Sequence, residues 1–234
     1  MEDHHGSIVF SRFTHATLSL NPELLSDLAK FYCSIWMYDP FFREYKTCPV
    51  CKKYYSYEEV TAGKVTCSGV SMYHPTSPLE DAWNPGKVAE DLLCQSAQYG
   101  ERFYGAIAYD TETNHIVGFT WGFVQPWEEI NSEWGTTIAD YVGSNAVYFS
   151  ELAADLDIRN KRLGTRLSKM LITWMKENYP NLPTFLRTHE KSFARRIFEK
   201  AGYSYFAEDP MHGDGRIMLM VPSCKNLKPD LLVY

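Results

Sequence analysis

Long apolar runs are missing from this chain of 234 residues. A helix that crosses a bilayer needs about 20 apolar residues, and no stretch of the sequence approaches that length. The opening segment, Met-Glu-Asp-His-His-Gly-Ser, also lacks the apolar core of a secretory signal. The two absences predict a cytoplasmic protein without a membrane partner.

Positive charge is scarce as well. The chain has 23 Lys and Arg against 29 Asp and Glu, a net charge of −6, which disfavours general binding to nucleic acid or to anionic membranes. Residues 103–158 contain no Lys or Arg, but they contain nine carboxylates and several Trp and Tyr residues. Acidic and aromatic surfaces attract cations, whereas the commoner fate of such a segment is a solvated face.

The chain also lacks a disulfide framework, because its six cysteines do not have the spacing of paired cysteines. Cys48-Pro-Val-Cys51 is instead a knuckle of the kind that places two thiolates on one metal ion, and Cys67 follows 16 residues later. His74 is the nearest side chain that completes a tetrahedral zinc site. The sequence therefore predicts a structural zinc ion on Cys48, Cys51, Cys67 and His74. The alternatives are a cysteine pair left from a site that no longer binds metal, and a redox pair without the usual strand–helix frame.

The stretch around residues 145–171 organises the rest of the chain. An apolar run over residues 146–154 predicts a buried strand, and a helical period then begins near Leu163. The first N–H groups of a helix have no internal partner and lie at the positive end of its dipole. Arg159, Lys161 and Arg162 add charge, and Gly164 leaves room for a phosphate. The pattern is equally compatible with an anion site and with a solvated basic turn.

The remaining pattern predicts a mixed α/β protein. Residues 103–109 and 116–124 are predicted to form two antiparallel strands joined by the turn at 111–114, and residues 126–141 a loop with weak helical character. Helices are predicted from Pro22, with Asn21 as cap, and from Pro85. The last elements are a strand at 184–188, a helix at 192–201 and closing strands at 203–207 and 216–221.

Two motifs carry a resemblance to a known family. Arg159-x-x-Arg162-x-Gly164 resembles the Gln/Arg-x-x-Gly-x-Gly/Ala pyrophosphate loop of the GCN5-related N-acetyltransferase (GNAT) family, with Arg162 where the first glycine is usual. Residues 184–203 resemble the family's fifth strand and its Y/F-E-K-x-G-F/Y signature. The resemblance implies a mixed, mostly antiparallel twisted sheet flanked by helices. It implies one N-acetyltransferase domain over residues 1–234, into which a Cys-rich segment, 42–78, is inserted.

The resemblance also implies acetyl transfer from acetyl-CoA to a primary amine. The pantetheine arm of the cofactor would pair with the fourth strand, and its pyrophosphate would bind the basic loop. The implied cofactor-binding residues are Leu152, Ala153, Ala154, Leu156, Arg159, Asn160, Lys161, Arg162, Leu163, Gly164, Thr165, Ser192 and Arg195.

Catalysis by such an enzyme needs a base, because a protonated amine cannot attack. Glu151 is the only carboxylate in the organising strand, whereas the family's usual base position falls nearer Tyr148. Side-chain alternation leaves Glu151 either in the site or on the outer surface. Phe198 stands where the family often has a Tyr that donates a proton to the leaving thiolate, and Tyr203 and solvent are the alternatives.

The acidic segment suggests the acceptor. In the family fold it lies beside the acceptor cleft, so we expect a cationic small molecule or peptide as acceptor, with Glu128, Glu129 and Glu133 at the cleft rim. One competing hypothesis is a non-catalytic acetyl-CoA-binding module whose Cys-rich segment binds a protein. Another is an enzyme that this segment guides to nucleic acid, which the acidic chain disfavours. The sequence leaves the oligomeric state open, including a homodimer.

Overall fold

The computed structural model describes residues 7–38, 44–68, 76–155, 158, 162–209 and 215–232. The strands are β1 Ile8–Phe13, β2 Lys46–Thr47, β3 Tyr54–Tyr55, β4 Thr66–Cys67, β5 Ser77–Pro78, β6 Glu80–Asp81, β7 Phe103–Asp110, β8 His115–Gln125, β9 Ala146–Ala154, β10 Thr184–His189, β11 Ser204–Glu208 and β12 Arg216–Val221. The helices are α1 His15–Leu20, α2 Pro22–Tyr38, α3 Tyr57–Thr61, α4 Pro85–Tyr99, α5 Trp127–Trp134, α6 Thr136–Val142, α7 Leu163–Asn178 and α8 Phe193–Ala201.

The chain divides into two compact units. Met1–Leu20 and Gln95–Tyr234 form the first, called here the sheet unit, and Asn21–Cys94 forms the second, called the cysteine unit. The division falls within α4. Whether the whole chain acts as one domain, with residues 42–78 as an insertion, stays a prediction.

A seven-stranded sheet is the frame of the sheet unit, in the order β1-β7-β8-β9-β10-β12-β11. Neighbouring strands are antiparallel except β9 and β10, which are parallel and are joined through α7. The predicted mixed, mostly antiparallel sheet flanked by helices is therefore confirmed. The predicted hairpin is also present, because β7 and β8 pair antiparallel across the turn and Asn114 adopts a left-handed φ of 56°.

The helix α7 covers one face of this sheet. It begins at Leu163, as the change in apolar period predicts, and its buried residues recur at helical spacing. They pack with residues of β7, β8, β9 and β10 in one core cluster. Full burial of a single leucine side chain is worth about 1.5–3 kcal/mol, so this face fixes the helix firmly. This packing fixes the position of the N-terminus of α7, the helix that follows β9 in the chain.

Two segments differ from the sequence-based expectation. Residues 126–141 are helical rather than a loop, because Ile130, Trp134 and Ile138 supply a buried face. Gly135, with φ of 84°, separates α5 from α6 and breaks the period that a longer helix would show. The alternation over residues 7–16 predicts a first strand, but the strand ends at Phe13 and α1 follows it. No helix in the described ranges has both the length and the apolar character that a bilayer crossing requires.

The cysteine unit contains short, local elements. Asn21 caps α2 as predicted, since its Oδ1 accepts from Leu24 N at 3.0 Å. The region between α2 and α4 contains the short helix α3, which begins at a reciprocal capping box formed by Ser56 and Glu59. Short strands pair β3-β2-β6 and β4-β5.

Candidate active site

One extra residue interrupts the pairing of β9 with β8. Trp121 lies opposite Glu151 and Gly122 lies opposite Phe149, so Ser150 is the additional residue. This arrangement is a β-bulge, which bends the strand and shifts its side-chain alternation by one position.

Close backbone packing holds the bulge. A Cβ atom on Gly122 would lie 2.6 Å from the backbone oxygen of Tyr148, a separation that side chains do not tolerate. The buried hydroxyl of Thr120 donates to the backbone oxygen of Glu151 at 2.8 Å. A glycine and a hydroxyl on β8 thus accommodate the irregular backbone of β9.

The bulge places Tyr148 and Glu151 on the same face of the sheet. Directly opposed residues of an antiparallel pair share a face. Tyr148 lies opposite Phe123 and Glu151 opposite Trp121, and these two β8 residues are two positions apart, so they share a face. Phe149 belongs to the core cluster beneath α7. Tyr148 and Glu151 therefore project away from α7.

The parallel strands β9 and β10 separate beside the bulge. Their register runs from Thr184 opposite Val147 to Leu186 opposite Phe149 and, within the described residues, ends there. From Arg187 onwards, β10 continues its pairing with β12. The β9 backbone beyond Phe149 therefore borders a gap on the β10 side, where an extended ligand can pair with the strand.

A charged pair lies on the same face beside the gap. Phe185 of β10 stacks on Tyr148, with ring centroids 4.9 Å apart, and Arg187 follows two residues later. Its Nη1 donates to Asp209 Oδ2 at 3.4 Å, and its Cζ lies 5.5 Å from the ring centroid of Trp134. The Asp209 side chain is 0% exposed and that of Arg187 is 31% exposed. The guanidinium is thus anchored from within and open to solvent on another side.

Burial and charge set the protonation of this cluster. Burial raises the pKa of Tyr148, and Glu151, Asp209 and Glu133 raise it further against the opposing effect of Arg187. Burial lowers the pKa of Arg187, but the surrounding Tyr148, Asp209 and Glu151 outweigh it, so this pKa is raised overall. At neutral pH the phenol keeps its proton and the guanidinium keeps its charge.

No side chain among the described residues caps the N-terminus of α7. Arg162 precedes the helix in a left-handed conformation, with φ of 51°. Gly164 lies in the first turn, and a Cβ atom there would contact Ile197 Cδ1 at an ordinary 3.5 Å. The backbone N–H groups of this first turn are the groups that can bind an anion.

Three sulfur atoms converge in the cysteine unit. Those of Cys48, Cys51 and Cys67 lie within 4.8 Å of one another, and the Cys51–Cys67 distance is 3.8 Å. A disulfide requires about 2.05 Å between sulfurs. Tetrahedral zinc, with Zn–S bonds of about 2.3 Å, places its sulfur ligands about 3.8 Å apart. The Cys51–Cys67 distance is therefore compatible with a shared metal ion and too long for a disulfide.

The backbone around these sulfurs is arranged for thiolates. The N–H groups of Val50 and Cys51 donate to the sulfur of Cys48, which lowers the pKa of that thiol even though its burial opposes the shift. The N–H group of Lys53 donates to the sulfur of Cys51. The turn closes through Lys52, which has a left-handed φ of 58° and donates its N–H to Cys48 O at 3.0 Å. The predicted fourth ligand, His74, lies outside the described residues.

The comparison with known families decides the identity of this site. No curated protein matched the sequence. A family model described as Acetyltransferase (GNAT) family matches residues 71–203, more than half of the chain. The chain belongs to this family. It is therefore an N-acetyltransferase that uses acetyl-CoA, and family membership does not favour the hypothesis of a non-catalytic module.

Solved structures share the GNAT fold at low sequence identity. A polyamine N-acetyltransferase from Drosophila melanogaster has a TM-score of 0.54 at 11% identity, covering 92% of this chain and 99% of that one. The mosquito arylalkylamine N-acetyltransferase like 5b gives 0.52 at 12% identity, with coverage of 92% and 99%. NAA60 from Arabidopsis thaliana, solved with a bisubstrate analogue, gives 0.51 at 11% identity, with coverage of 92% and 97%. At these identities the likeness concerns the fold.

The described residues fit the GNAT cofactor. When bound, acetyl-CoA supplies an activated acetyl group. Leu152, Ala153 and Ala154 lie on β9 beyond the end of its pairing with β10, and the first turn of α7 contains Leu163, Gly164 and Thr165. Leu156, Arg159, Asn160 and Lys161, also expected to bind the cofactor, lie outside the described residues.

Other residues expected in the GNAT site occupy varied positions. Ser192 caps α8, its hydroxyl accepting from Ala194 N at 3.1 Å, and Arg195 pairs with Glu199 at 2.7 Å. The hydroxyl of Tyr203 lies in the core, 3.0 Å from Thr184 Oγ1. The structure therefore does not bring Tyr203 to the face that carries Tyr148 and Glu151.

Two of the three acidic residues expected at the cleft rim, Glu129 and Glu133, have internal partners, whereas Glu128 is exposed. Tyr99 Oη donates to Glu129 Oε2 at 2.6 Å. Gln125 Nε2 donates to Glu133 Oε2 at 2.6 Å, and Trp134 Nε1 donates to Gln125 Oε1 at 3.3 Å. Glu133 thus joins a chain of contacts that leads to the Trp134 ring.

Sequence reasoning missed the cluster of Arg187, Asp209 and Trp134. Arg187 is the only charged residue within the buried strand β10 apart from its terminal His189, and an isolated cation at such a position is a usable signal. Asp209 gives no comparable signal, because only the fold brings it to Arg187.

Proposed function

We propose that this enzyme acetylates the primary amine of a cationic small molecule or peptide. The observation that carries the proposal is the charge on the face beside the β9–β10 gap. Glu133, Glu151 and Asp209 all act on Tyr148 electrostatically, and Arg187 is the cation that acts with them. Three carboxylates against one guanidinium leave this face negative. Low-dielectric aromatic surfaces strengthen the attraction of such a face for a cation.

The roles of the side chains follow from their protonation. Glu151 accepts a proton from the acceptor's ammonium group and so prepares the amine for attack. The Tyr148 hydroxyl retains its proton, so it is suited to donate and not to accept. Asp209 neutralises Arg187 and holds it against Trp134. Backbone N–H groups along residues 150–154 face the gap and stabilise negative charge that develops on an acyl oxygen.

The acceptor proposal predicts a charge order among matched amines. A diaminoalkane, the alkylamine of the same length and the ω-amino acid of the same length share the reacting amine but differ in distal charge. We expect kcat/KM to be about 10-fold higher for the diamine than for the alkylamine, and lowest for the amino acid. Added salt should raise KM for the diamine, because it screens the negative face.

Release of CoA thiol at two salt concentrations measures this order. The neutral alkylamine is the control, since its KM should hardly respond to salt. A preference for the amino acid, or a KM for the diamine that salt leaves unchanged, would contradict a cationic acceptor.

We also propose that the cysteine unit holds one structural zinc ion. The supporting observation is the set of three sulfurs within 4.8 Å of one another, with N–H donors aimed at them. Zinc accepts three thiolates and one imidazole, so His74 is the proposed fourth ligand. A closed site of this kind would hold together a segment whose own core cluster is formed by Cys48, Tyr55 and Cys67.

The zinc proposal is tested on protein purified without added metal. Elemental analysis should find about one zinc per chain, and chelation should lower the melting temperature. Cys48→Ser should lose the metal, whereas Cys94→Ser, at an exposed thiol outside the cluster, should retain it. Less than about half an equivalent of zinc, with an unchanged melting temperature on chelation, would contradict the site.

A further inference from the structure

Tyr55 lies against the three cysteines. It is 3% exposed and shares a small core cluster with Cys48 and Cys67, which are 0% and 2% exposed. The Tyr55 and Cys67 side chains pack together, and the interaction of the Tyr55 hydroxyl with the Cys67 sulfur raises the pKa of Tyr55. The pairing of β3 with β2 places Tyr55 opposite Lys46, two residues before Cys48, so the hairpin that forms the knuckle also positions this phenol.

Two ammonium groups lie over the ring of Tyr55. The Nζ atom of Lys53 is 5.2 Å from the ring centroid, and that of Lys64 is 5.9 Å from it. Both distances fall within the range of cation–π attraction. The aromatic ring therefore connects two cations to the group of sulfurs.

The net charge of the proposed zinc site explains why a phenol and two ammonium groups lie beside it. Three thiolates and a neutral imidazole on Zn²⁺ leave a net charge of −1. A buried negative charge is costly unless hydrogen bonds and opposite charges compensate it. A metal-bound thiolate has no proton, so in a hydrogen bond between Tyr55 and Cys67 the phenol must be the donor. Mutation of a group that orients a metal ligand by a hydrogen bond typically lowers metal affinity about 10–100-fold.

We propose that Tyr55 is a positioning residue of the metal site: its hydroxyl donates to the Cys67 thiolate, and Lys53 and Lys64 above its ring balance the charge of the zinc–thiolate group. The proposal rests on the proposed zinc site and adds to it a residue that contacts no metal. Tyr54 and Tyr55 project to opposite faces of β3, so the proposal gives this role to Tyr55 alone.

Tyr55→Phe tests the proposal in the full chain, and Tyr54→Phe is the matched control. The Phe variant keeps the ring, its packing and its contacts with the lysines, and it removes only the donor. We expect zinc affinity, measured by competition with a chromogenic chelator, to fall about 10–100-fold in Tyr55→Phe and to stay unchanged in Tyr54→Phe. Far-ultraviolet circular dichroism of the zinc-loaded proteins should be the same for both.

Cobalt substitution supplies a readout that general loosening of the fold would not move. Loss of a hydrogen bond makes a thiolate more electron-rich, so the sulfur-to-cobalt charge-transfer band of Tyr55→Phe should shift to longer wavelength. The band of Tyr54→Phe should match that of the unchanged protein. A Tyr55→Phe protein with unaltered affinity and an unaltered band would overturn the role of Tyr55.

A cysteine variant separates the two layers of the proposal. Cys67→Ser should lose a thiolate from the cobalt spectrum and most of the zinc affinity. If it does and Tyr55→Phe changes nothing, the zinc site stands and the role of Tyr55 falls. If neither the unchanged protein nor any variant binds zinc or cobalt, both the site and its positioning residue are wrong.

Discussion

Gly164→Glu should abolish acetyl-CoA binding. Gly164 lies in the first turn of α7, where backbone N–H groups lack internal partners. A glutamate there would place a carboxylate where the cofactor's pyrophosphate is expected, and the two negative charges would repel each other. We expect the affinity for acetyl-CoA, measured by isothermal titration, to fall by about 100-fold or more.

Gly164→Ala is the matched control for that experiment. The added methyl group would contact Ile197 Cδ1 at 3.5 Å, an ordinary distance, and alanine favours a helix more than glycine does. The alanine variant should therefore fold at least as stably and should bind acetyl-CoA nearly as well. Unchanged affinity in Gly164→Glu would mean that the cofactor binds elsewhere.

Glu151→Gln should reduce kcat strongly while leaving acetyl-CoA binding intact. Glutamine keeps the size and the hydrogen-bonding capacity of the side chain but cannot accept a proton. Removal of a general base costs about 100- to 10,000-fold in rate.

Glu112→Gln is a suitable control for this variant, because Glu112 is an exposed acid in the turn between β7 and β8. It should keep the activity and the pH profile of the unchanged enzyme. A Glu151→Gln enzyme that retains full kcat would show that another group, or a water chain, takes the proton.

Regular periodicity made much of the fold predictable. The apolar run of β9 and the helical spacing from Leu163 onwards gave both elements their observed positions. The knuckle spacing likewise brought Cys48, Cys51 and Cys67 together as expected. In each case the relevant residues are close in sequence, so local geometry is enough to relate them.

The arrangement of the site depended on features that local patterns do not contain. Alternation along β9 did not settle the face of Glu151, because the bulge at Ser150 shifts the period. Gly122 on β8 was a usable signal, since a glycine inside a strand often marks a bulge. Arg187 and Asp209 are distant in sequence, and only the fold brings them together. Tyr55 and Cys67 lie on strands of two different small sheets, so local sequence patterns do not relate them either.

The bulge at Ser150 has a consequence for how β9 tolerates insertions and deletions. In a regular strand, loss of one residue turns every later side chain to the opposite face. In β9, loss of Ser150 would instead restore simple alternation and keep Glu151 and Leu152 on their present faces. Each later side chain therefore keeps its face after a deletion at this position, and only the bend of the backbone is lost. β9 can thus lose one residue without exchanging the face buried under α7 for the face that carries Tyr148 and Glu151.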